Sequence, residues 1–457
     1  MKSLVLLAAT VATLMAADPR LPKYTREQLP NGVVLYLLPK PSVPLVNFRI
    51  LVRGGVESEP TGLAGISTAT AQLLRSGSTR RTATKFSEEL DSLGGTFVAA
   101  ANPQYVMVAS EFLKKDFAAG LDLTADALLH PTFPEAEVKK VIARATDTVK
   151  GQKDNPQAAI GPYFNAFFYG SNHPYGRPTS EATLAKIDRA AIAAYAQQAY
   201  AGKNLVVIVA GDFDTPTATA ALRETFAKIP AGTAFTPAKD VKPTAGAHLL
   251  LIDKPDATQT YFRIGQQGIA RTSPDRTAIT LINTLFGGRF TSMLNDALRV
   301  SSGLTYGANS IVDENRLPGA ITIATYTKTE TTEKAIDMAL DQLKALNEKG
   351  ITAAQLASAK SFVKGTYPTR YLETADQLAG MLGDIEVYGL NKGEVDDLFS
   401  RIDAVTLEQA NAIAKKYYQP KDLTFVVLGN AGKIRDVVKK YAPSMQEVKA
   451  SAPGFGN

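Results

Sequence analysis

The sequence predicts an α+β protein of two homologous α/β-roll domains, in each of which an antiparallel-rich sheet is covered by helices. Three observations predict this fold class: an internal repeat, a linker between its two copies, and a shared order of strand-like and helix-like segments. At 457 residues the chain is longer than one hydrophobic core usually supports, which favours two domains. Its 45% hydrophobic and 21% charged residues are typical of a globular protein.

The repeat has an offset of 218 residues. In each copy a helix-like segment leads into an apolar strand, LVVIVAG at residues 205–211 and LTFVVLG at residues 423–429. Identical pairs at this spacing include Tyr200 and Tyr418, Leu205 and Leu423, and Gly211 and Gly429. This constant spacing indicates two halves of the same build.

A linker separates the two copies. Residues 229–246 are rich in Pro, Gly, Ala and Thr and show no apolar periodicity. We therefore assign residues 25–235 to an N-terminal domain, 236–246 to the linker and 247–448 to a C-terminal domain.

Both halves show strand-like runs before helix-like ones. In the first half, residues 33–39 and 45–52 are short β-branched and aromatic runs, which predict strands. Residues 86–93 and 117–130 have helical apolar spacing. The second half repeats this order, with predicted strands in AHLLLID, QTYFRIGQQG and ITIATYT and a predicted helix around AITLINTLF.

Residues 1–17 have the pattern of a cleaved signal peptide. Lys2 precedes an apolar run from Leu4 to Met15, and the small residues Ala16 and Ala17 follow it. The run is shorter than the roughly 20 residues that a membrane-spanning helix needs. We therefore expect a periplasmic or secreted protein without stable membrane insertion. The absence of Cys excludes a lipid-modified Cys, disulfides and Cys-ligated metal sites.

Charge and motif content exclude several classes of function. The net charge of +6 is spread along the chain without a block of like charges, and aromatic residues lie mostly in apolar runs, so the pattern does not favour nucleic-acid binding. No Gly-rich loop ending in Gly-Lys-Ser/Thr is present to hold a phosphate.

Metal and nucleophile motifs are sparse. The only histidines are His130, His173 and His248, so no helix turn carries a His pair at positions i and i+4. A metal site assembled from distant histidines and carboxylates stays an alternative, although a helix end for His130 and a turn for His173 are favoured. Ser361 and Lys364 match Ser-x-x-Lys, but without the companion motifs of that hydrolase class.

Seven segments together resemble one family, the two-domain inverzincin metallopeptidases of the insulinase, pitrilysin and mitochondrial processing peptidase type. The resemblance covers nearly all of the chain after the predicted signal peptide, and the order and spacing of the segments make it specific. The segments are LPNGVVLYLLP (29–39), RGGVESEPTGLAG (53–65), LLRSGS (73–78), LLHPTFPE (128–135), HPYGRP (173–178), LFGGRFTSML (285–294) and GLTYG (303–307).

The resemblance implies a zinc site whose side chains this sequence has lost. Members of the family carry His-x-x-Glu-His after Gly-Leu-Ala, and a further Glu ligand about 76 residues later. The corresponding positions here are Gly65, Thr68, Ala69 and Ala145. Gly and Ala have no donor atom, and a Thr hydroxyl is a poor general base near neutral pH. The strand that contacts substrate backbone in catalytic members reads TFVAAA (96–101), without the usual Asn.

The second half keeps the family's other functional pair. Arg299 and Tyr306, seven residues apart, match an Arg and a Tyr that in relatives hydrogen-bond the substrate carbonyl and stabilise the developing negative charge. The alternative is structural: Arg299 would bind carbonyls at the end of a helix, and Tyr306 would begin a strand.

The resemblance therefore implies a subunit that is inactive alone. We expect it to bind no cofactor itself, to pair with a zinc-binding chain of the same family, and to supply Arg299 and Tyr306 to peptide hydrolysis. One alternative is an inactive peptide-binding or structural homodimer of the same fold. Another is an unrelated hydrolase that uses Ser361 and Lys364.

Overall fold

The computed structural model describes residues 18–239, 241–244 and 246–456. The predicted signal peptide, residues 1–17, lies outside them. Each half of the chain forms one six-stranded sheet, with strand orders β1-β2-β6-β3-β5-β4 and β12-β7-β11-β8-β10-β9.

The first half contains the strands β1 (Thr25–Gln28), β2 (Val34–Pro39), β3 (Leu45–Arg53), β4 (Thr96–Ala101), β5 (Tyr105–Leu113) and β6 (Leu205–Gly211). Its helices are α1 (Ile66–Leu73), α2 (Ala83–Ser92), α3 (Phe117–Leu129), α4 (Glu135–Asp154), α5 (Pro156–Tyr169), α6 (Glu181–Leu184), α7 (Arg189–Ala199) and α8 (Thr215–Phe226).

The second half contains the strands β7 (His248–Asp253), β8 (Gln259–Gln267), β9 (Asn309–Val312), β10 (Ala320–Lys328), β11 (Thr424–Gly429) and β12 (Ser444–Lys449). Its helices are α9 (Arg276–Asn283), α10 (Met293–Asn295), α11 (Thr332–Lys349), α12 (Ala353–Tyr371), α13 (Ala375–Tyr388), α14 (Gly393–Asp396), α15 (Leu398–Ala404), α16 (Leu407–Tyr417) and α17 (Ala431–Val438), and two π-helical turns span Thr284–Gly288 and Asp296–Ser301.

The predicted fold class is confirmed. Both sheets are mostly antiparallel, and in both the repeated apolar strand has one parallel and one antiparallel neighbour: β6 lies between β2 and β3, and β11 lies between β7 and β8. Local sequence explains several element ends. Helices α12, α13 and α16 each begin with a Thr-x-x-Gln capping box, in which the two side chains satisfy free backbone amides.

Each half covers one face of the other half's sheet. Helix α5 packs on β8 and β11, and helix α13 packs on β3 and β6. Every residue of β6 is therefore buried, because helices lie on both faces of its sheet. Leu378, Leu382 and Val387 of α13 form one apolar cluster with residues of β2, β3 and β6. Charge also joins the halves, since the Glu386 carboxylate accepts hydrogen bonds from Arg26 at 3.0 Å and Arg53 at 2.7 Å.

No helix or strand lies in the described residues between Phe226 and His248. Across the described chain, none of the helices is both long enough and apolar enough to cross a bilayer.

Candidate functional site

Helices α1 and α4 pack side by side, which brings together the four positions where the resemblance implies a zinc site. Gly65 is the residue before α1, and Ala69 on α1 is buried in the main hydrophobic core. Ala145 on α4 packs against the same core, whereas Thr68 is exposed. The only metal-donor side chain at these four positions is the Thr68 hydroxyl.

A buried carboxylate fills the start of α1 instead. Glu59 is 9% exposed and accepts hydrogen bonds from the Gly65 amide at 3.1 Å, the Ser67 amide at 3.0 Å and the Ser67 hydroxyl at 2.5 Å. It thereby satisfies amides that would otherwise be free at the first turn of the helix. Burial raises the pKa of Glu59 above its ordinary value, although these hydrogen bonds favour the charged form. No motif or periodic pattern in the sequence predicts this role for Glu59.

The backbone at Gly65 excludes a histidine without rearrangement. Its φ is 101°, a conformation that L-residues rarely adopt. A Cβ atom at Gly65 would lie 2.7 Å from Cγ2 of Thr179. The residues present therefore do not fit a zinc ion. Within the described ranges, no group of three or more His, Asp or Glu side chains is placed to hold one.

The three histidines lie at a helix end, in a short turn and at the start of a strand. His130 follows the last residue of α3, as the sequence predicted for a helix end. The side chain of His173 is fully buried, and its Nδ1 accepts a hydrogen bond from the Tyr175 amide at 3.1 Å in a short turn. Burial lowers the pKa of His173 to about 4, and the positive charge of Arg177 adds to this effect. His248 lies at the start of β7, where Nδ1 is 3.3 Å from the Ser444 hydroxyl.

A cleft of about 770 Å³ runs along α1 and α4 beside strand β4, lined by residues that include Gln72, Arg75, Val98 and Ala145. Strand β4 is the edge of its sheet and, among the described residues, pairs only with β5. Its residues are Thr96–Ala101, TFVAAA, so the Asn side chain of catalytic relatives is absent from this edge.

Arg299 and Tyr306 are brought together on the surface of the second half. The Arg299 guanidinium carbon lies 4.9 Å from the ring centroid of Phe290 and 5.0 Å from that of Tyr306. Phe290 is 62% exposed and Tyr306 is 77% exposed. In the described chain no carboxylate lies within 4.0 Å of Arg299. We call these three side chains the aromatic–arginine cluster.

The local backbone differs from the structural alternative for this pair. Arg299 lies in the π-helical turn Asp296–Ser301, and no hydrogen bond joins its side chain to a carbonyl of the described chain. Tyr306 precedes β9, which begins at Asn309. Asn295 connects the loops around them, because its Nδ2 donates to the Phe290 carbonyl at 2.7 Å and its Oδ1 accepts from the Ala308 amide at 3.4 Å.

The place of Phe290 in this cluster was not predicted from the sequence. The available signal was a Phe separated by one Arg from two glycines, in a segment between an apolar helix and a polar stretch, since such a loop exposes its aromatic residue.

Ser361 and Lys364 do not form a nucleophile and its base. Lys364 Nζ lies 2.7 Å from Asp403 Oδ1, so its amino group is engaged by a carboxylate rather than by Ser361. Ser361 is exposed on α12.

Two family models match consecutive parts of the chain. A family model described as insulinase (peptidase family M16) matches residues 35–182, and one described as the peptidase M16 inactive domain matches residues 186–363. An uncharacterised zinc protease of Mycobacterium leprae is 26% identical over 394 residues, covering 85% of this chain and 88% of its own. An uncharacterised zinc protease of Bacillus subtilis is 24% identical, covering 88% and 97%.

Two solved structures share the fold. A peptidase M16 inactive domain from Pseudomonas fluorescens has a TM-score of 0.82 and 24% identity, covering 89% of this chain and 98% of that one. A protease from Helicobacter pylori has a TM-score of 0.80 and 19% identity, covering 89% and 100%. The two family models together match more than two thirds of the sequence. The chain therefore belongs to the insulinase family of peptidases, M16, and carries Gly, Thr and Ala at the positions where the resemblance implies zinc ligands and the general base.

Proposed function

We propose that this chain is the non-catalytic subunit of a heterodimeric zinc metallopeptidase. A partner chain of the same family carries the zinc, and this chain contributes Arg299 and Tyr306 to the contact with the peptide substrate. The observation that carries the proposal is the aromatic–arginine cluster. It holds a half-buried guanidinium between two exposed rings, without an acidic partner in the described chain, in a protein whose own zinc-site positions carry no ligand side chains.

The cluster has the chemistry that peptide hydrolysis requires from such a subunit. The carbonyl oxygen of the scissile bond gains negative charge in the tetrahedral intermediate. Arg299 provides a permanent positive charge, and the Tyr306 hydroxyl provides a directional hydrogen-bond donor. Zinc held by the partner supplies an activated water and polarises the carbonyl.

The surrounding contacts preorganise the pair. Rings on Phe290 and Tyr306 contact the guanidinium of Arg299 and restrict the directions it can take. Asn295 is 5% exposed and fixes the loops that carry both rings. Donors that are already positioned need little reorganisation when charge develops, which is the condition for electrostatic stabilisation of a transition state.

Reconstitution tests this role. With a zinc-binding partner present, Arg299→Ala or Tyr306→Phe should lower kcat for a quenched fluorescent peptide by about 10²–10³, the loss expected for one oxyanion donor. Val300→Ala, a 60% exposed neighbour without a polar group, and Tyr371→Phe, a 43% exposed tyrosine on α12, are matched controls and should leave kcat unchanged. Unchanged rates in both Arg299→Ala and Tyr306→Phe would leave only a scaffolding role.

The isolated chain should neither hydrolyse peptides nor retain zinc after dialysis. Metal analysis and a peptidase assay with and without chelator measure this. Robust chelator-sensitive hydrolysis by the chain alone would refute the proposal. Ser361→Ala should change nothing in either preparation, and loss of hydrolysis in that variant would point to the unrelated hydrolase.

Co-purification separates the subunit from the inactive homodimer. We expect a complex with a chain that carries intact His-x-x-Glu-His. A homodimer that binds peptides and leaves them uncut when candidate partners are added would favour the peptide-binding or structural protein.

We also propose export to the periplasm or the medium, on the basis of residues 1–17. Cell fractionation followed by N-terminal sequencing should find a mature chain that begins near Ala17 or Asp18. A cytoplasmic chain that still begins at residue 1 would contradict this.

A further inference from the structure

A second cavity, of about 380 Å³, lies between the two halves and contains two arginines. Arg263 reaches it from β8 of the second half, and Arg177 reaches it from the HPYGRP loop of the first half. Thr68 on α1 lines the same cavity, so it opens beside the position that carries the general base in active relatives. Its acidic residues are Glu59 and Asp313.

Arg263 is a half-buried arginine that forms no ion pair with a carboxylate of the described chain. It lies on a central strand, and no carboxylate of the described chain is within 4.0 Å of its guanidinium. Its buried Nε has no hydrogen-bond acceptor among the described residues. The ring of Phe164, with its centroid 5.8 Å from the guanidinium carbon, is its aromatic contact. Burial lowers the pKa of Arg263, and the negative charge of Asp313 opposes this effect without cancelling it.

The internal repeat supplies a direct comparison. Arg49 pairs with Ile208 of β6 in the first sheet, and Arg263 pairs with Val426 of β11 in the second, the two partners being 218 residues apart. The two arginines are therefore structural equivalents. Arg49 is neutralised by Asp376, the second residue of α13, at 2.6 Å.

The equivalent acid is missing from the second copy. The second residue of α5, the helix that covers β8, is Gln157, which carries no charge. The repeat therefore keeps the arginine in both halves and keeps the neutralising carboxylate in one. A carboxylate from outside the chain would restore at Arg263 the pairing that Asp376 gives Arg49.

Arg177 adds a second guanidinium to the cavity, which two arginines and two acids line. It donates to the backbone carbonyls of Ser171 at 2.9 Å and Asn172 at 3.3 Å, and no acid of the described chain lies within 4.0 Å of it. Both oxygens of Glu59 already accept hydrogen bonds from the first turn of α1. Asp313 remains as the other acid, and burial raises its pKa, with Arg263 opposing this effect.

We propose that this cavity binds one carboxylate of a peptide, from an acidic side chain or from the C-terminus, through Arg263 and Arg177. A guanidinium matches the two oxygens of a carboxylate. The volume suits a residue-sized group, and Asp313 and Glu59 disfavour ligands of higher negative charge. The inference deepens the proposed function by naming a substrate feature, but its test needs only the isolated chain.

Calorimetric titration of the full chain tests the site with acetyl-Ala-Asp-Ala-amide, its Asn counterpart, and acetyl-Ala-Ala-Ala as the free acid and the amide. The Asp peptide or the free acid should bind at least about tenfold more tightly than its neutral counterpart, because only the charged forms can form the guanidinium–carboxylate pair. The stronger of the two identifies the source of the carboxylate. Arg263→Gln should remove this preference, and Arg263→Lys should keep part of it.

Arg49→Gln is the matched control, since it removes the equivalent arginine from the half that already has Asp376. It should leave the preference intact, and thermal unfolding of each variant checks that it is folded. Equal binding of charged and neutral peptides by the wild type would overturn the inference, as would equal losses in Arg263→Gln and Arg49→Gln. Neither result bears on the partner-dependent role of Arg299 and Tyr306, which is measured in the reconstituted complex.

Discussion

Replacing Gly65 should destabilise the protein, even though active relatives carry a large side chain at the corresponding position. Gly65 has a φ of 101°, and a Cβ would lie 2.7 Å from Cγ2 and 3.0 Å from Oγ1 of Thr179. The left-handed backbone costs an L-residue about 1–2 kcal/mol. Overpacking against Thr179, which is half-buried, costs about 1–3 kcal/mol more. Gly65→Ala should therefore lower the free energy of unfolding by about 2–5 kcal/mol.

Thermal unfolding followed by circular dichroism measures this cost. For a domain of this size, 1 kcal/mol corresponds to about 2–4 °C in Tm, so Gly65→Ala should lower Tm by about 4–20 °C. Gly62→Ala is the matched control: its φ is 85°, but the nearest atom to its Cβ is Lys186 Nζ at 3.8 Å. Gly62→Ala should therefore lose only the stability that the left-handed backbone costs, without a packing cost.

Adding Thr179→Ala to Gly65→Ala should recover the packing part of the loss in stability, because the Thr179 Cβ would be 3.4 Å away, an ordinary contact.

The same strain at Gly65 should weaken an engineered zinc site. In a variant with Gly65→His, Thr68→Glu, Ala69→His and Ala145→Glu, further replacement of Thr179 by Ala should tighten zinc by at least about fivefold, as 1 kcal/mol implies. Competitive chelator titration measures this affinity. If Gly65→Ala unfolds at the same Tm as the wild type, the backbone and packing costs assigned to this position are wrong.

Three further predictions concern stability. Glu59→Ala leaves the buried Gly65 and Ser67 amides without their acceptor and should cost about 2–4 kcal/mol in urea unfolding, whereas a loss below about 0.5 kcal/mol would contradict the capping role. Burial opposes ionisation of Asp126, but hydrogen bonds from Ser78 and two arginines outweigh this effect and hold the pKa of Asp126 below the ordinary 3.8. The stability that this group contributes should therefore be lost below pH 3.8, as pH falls through the lowered pKa. Asp126→Asn should flatten the acid limb of a pH titration of Tm. Gly265→Ala on β8 should push against the buried Phe164 ring of the other half and cost about 1–3 kcal/mol in urea unfolding, with unchanged stability as the contrary result.

The sequence predicted much of the fold because its signals are local and repeated. The pairs Tyr200 and Tyr418 or Leu205 and Leu423 reveal two similar halves, since each half must bury the same apolar strand. The predicted strands and helices are present in both halves. The packing of α5 on the second sheet and of α13 on the first was not predictable from the sequence. Apolar periodicity shows that a face is buried and does not show what covers it.

The candidate site was predictable where chemistry depends on residue type. Gly, Thr and Ala at four family positions lack the necessary donors, whatever their surroundings. The contacts of Arg299 with Phe290 and Tyr306 depend on loop geometry, and so does the approach of Glu59 to α1. Loop residues carry no periodic signal that would reveal such contacts.

The sequence by itself determined the two-domain α+β architecture and the loss of zinc-binding side chains, because both follow from residue types at fixed spacing. Only the tertiary structure decided that Glu59 and Thr179 occupy the surroundings of Gly65, that Phe290 joins the aromatic–arginine cluster, and that Arg263 is unpaired while Arg49 is not. The physical reason is that a charge or a side chain acquires its partners through space. Residues distant in the chain become neighbours only when the two halves pack together.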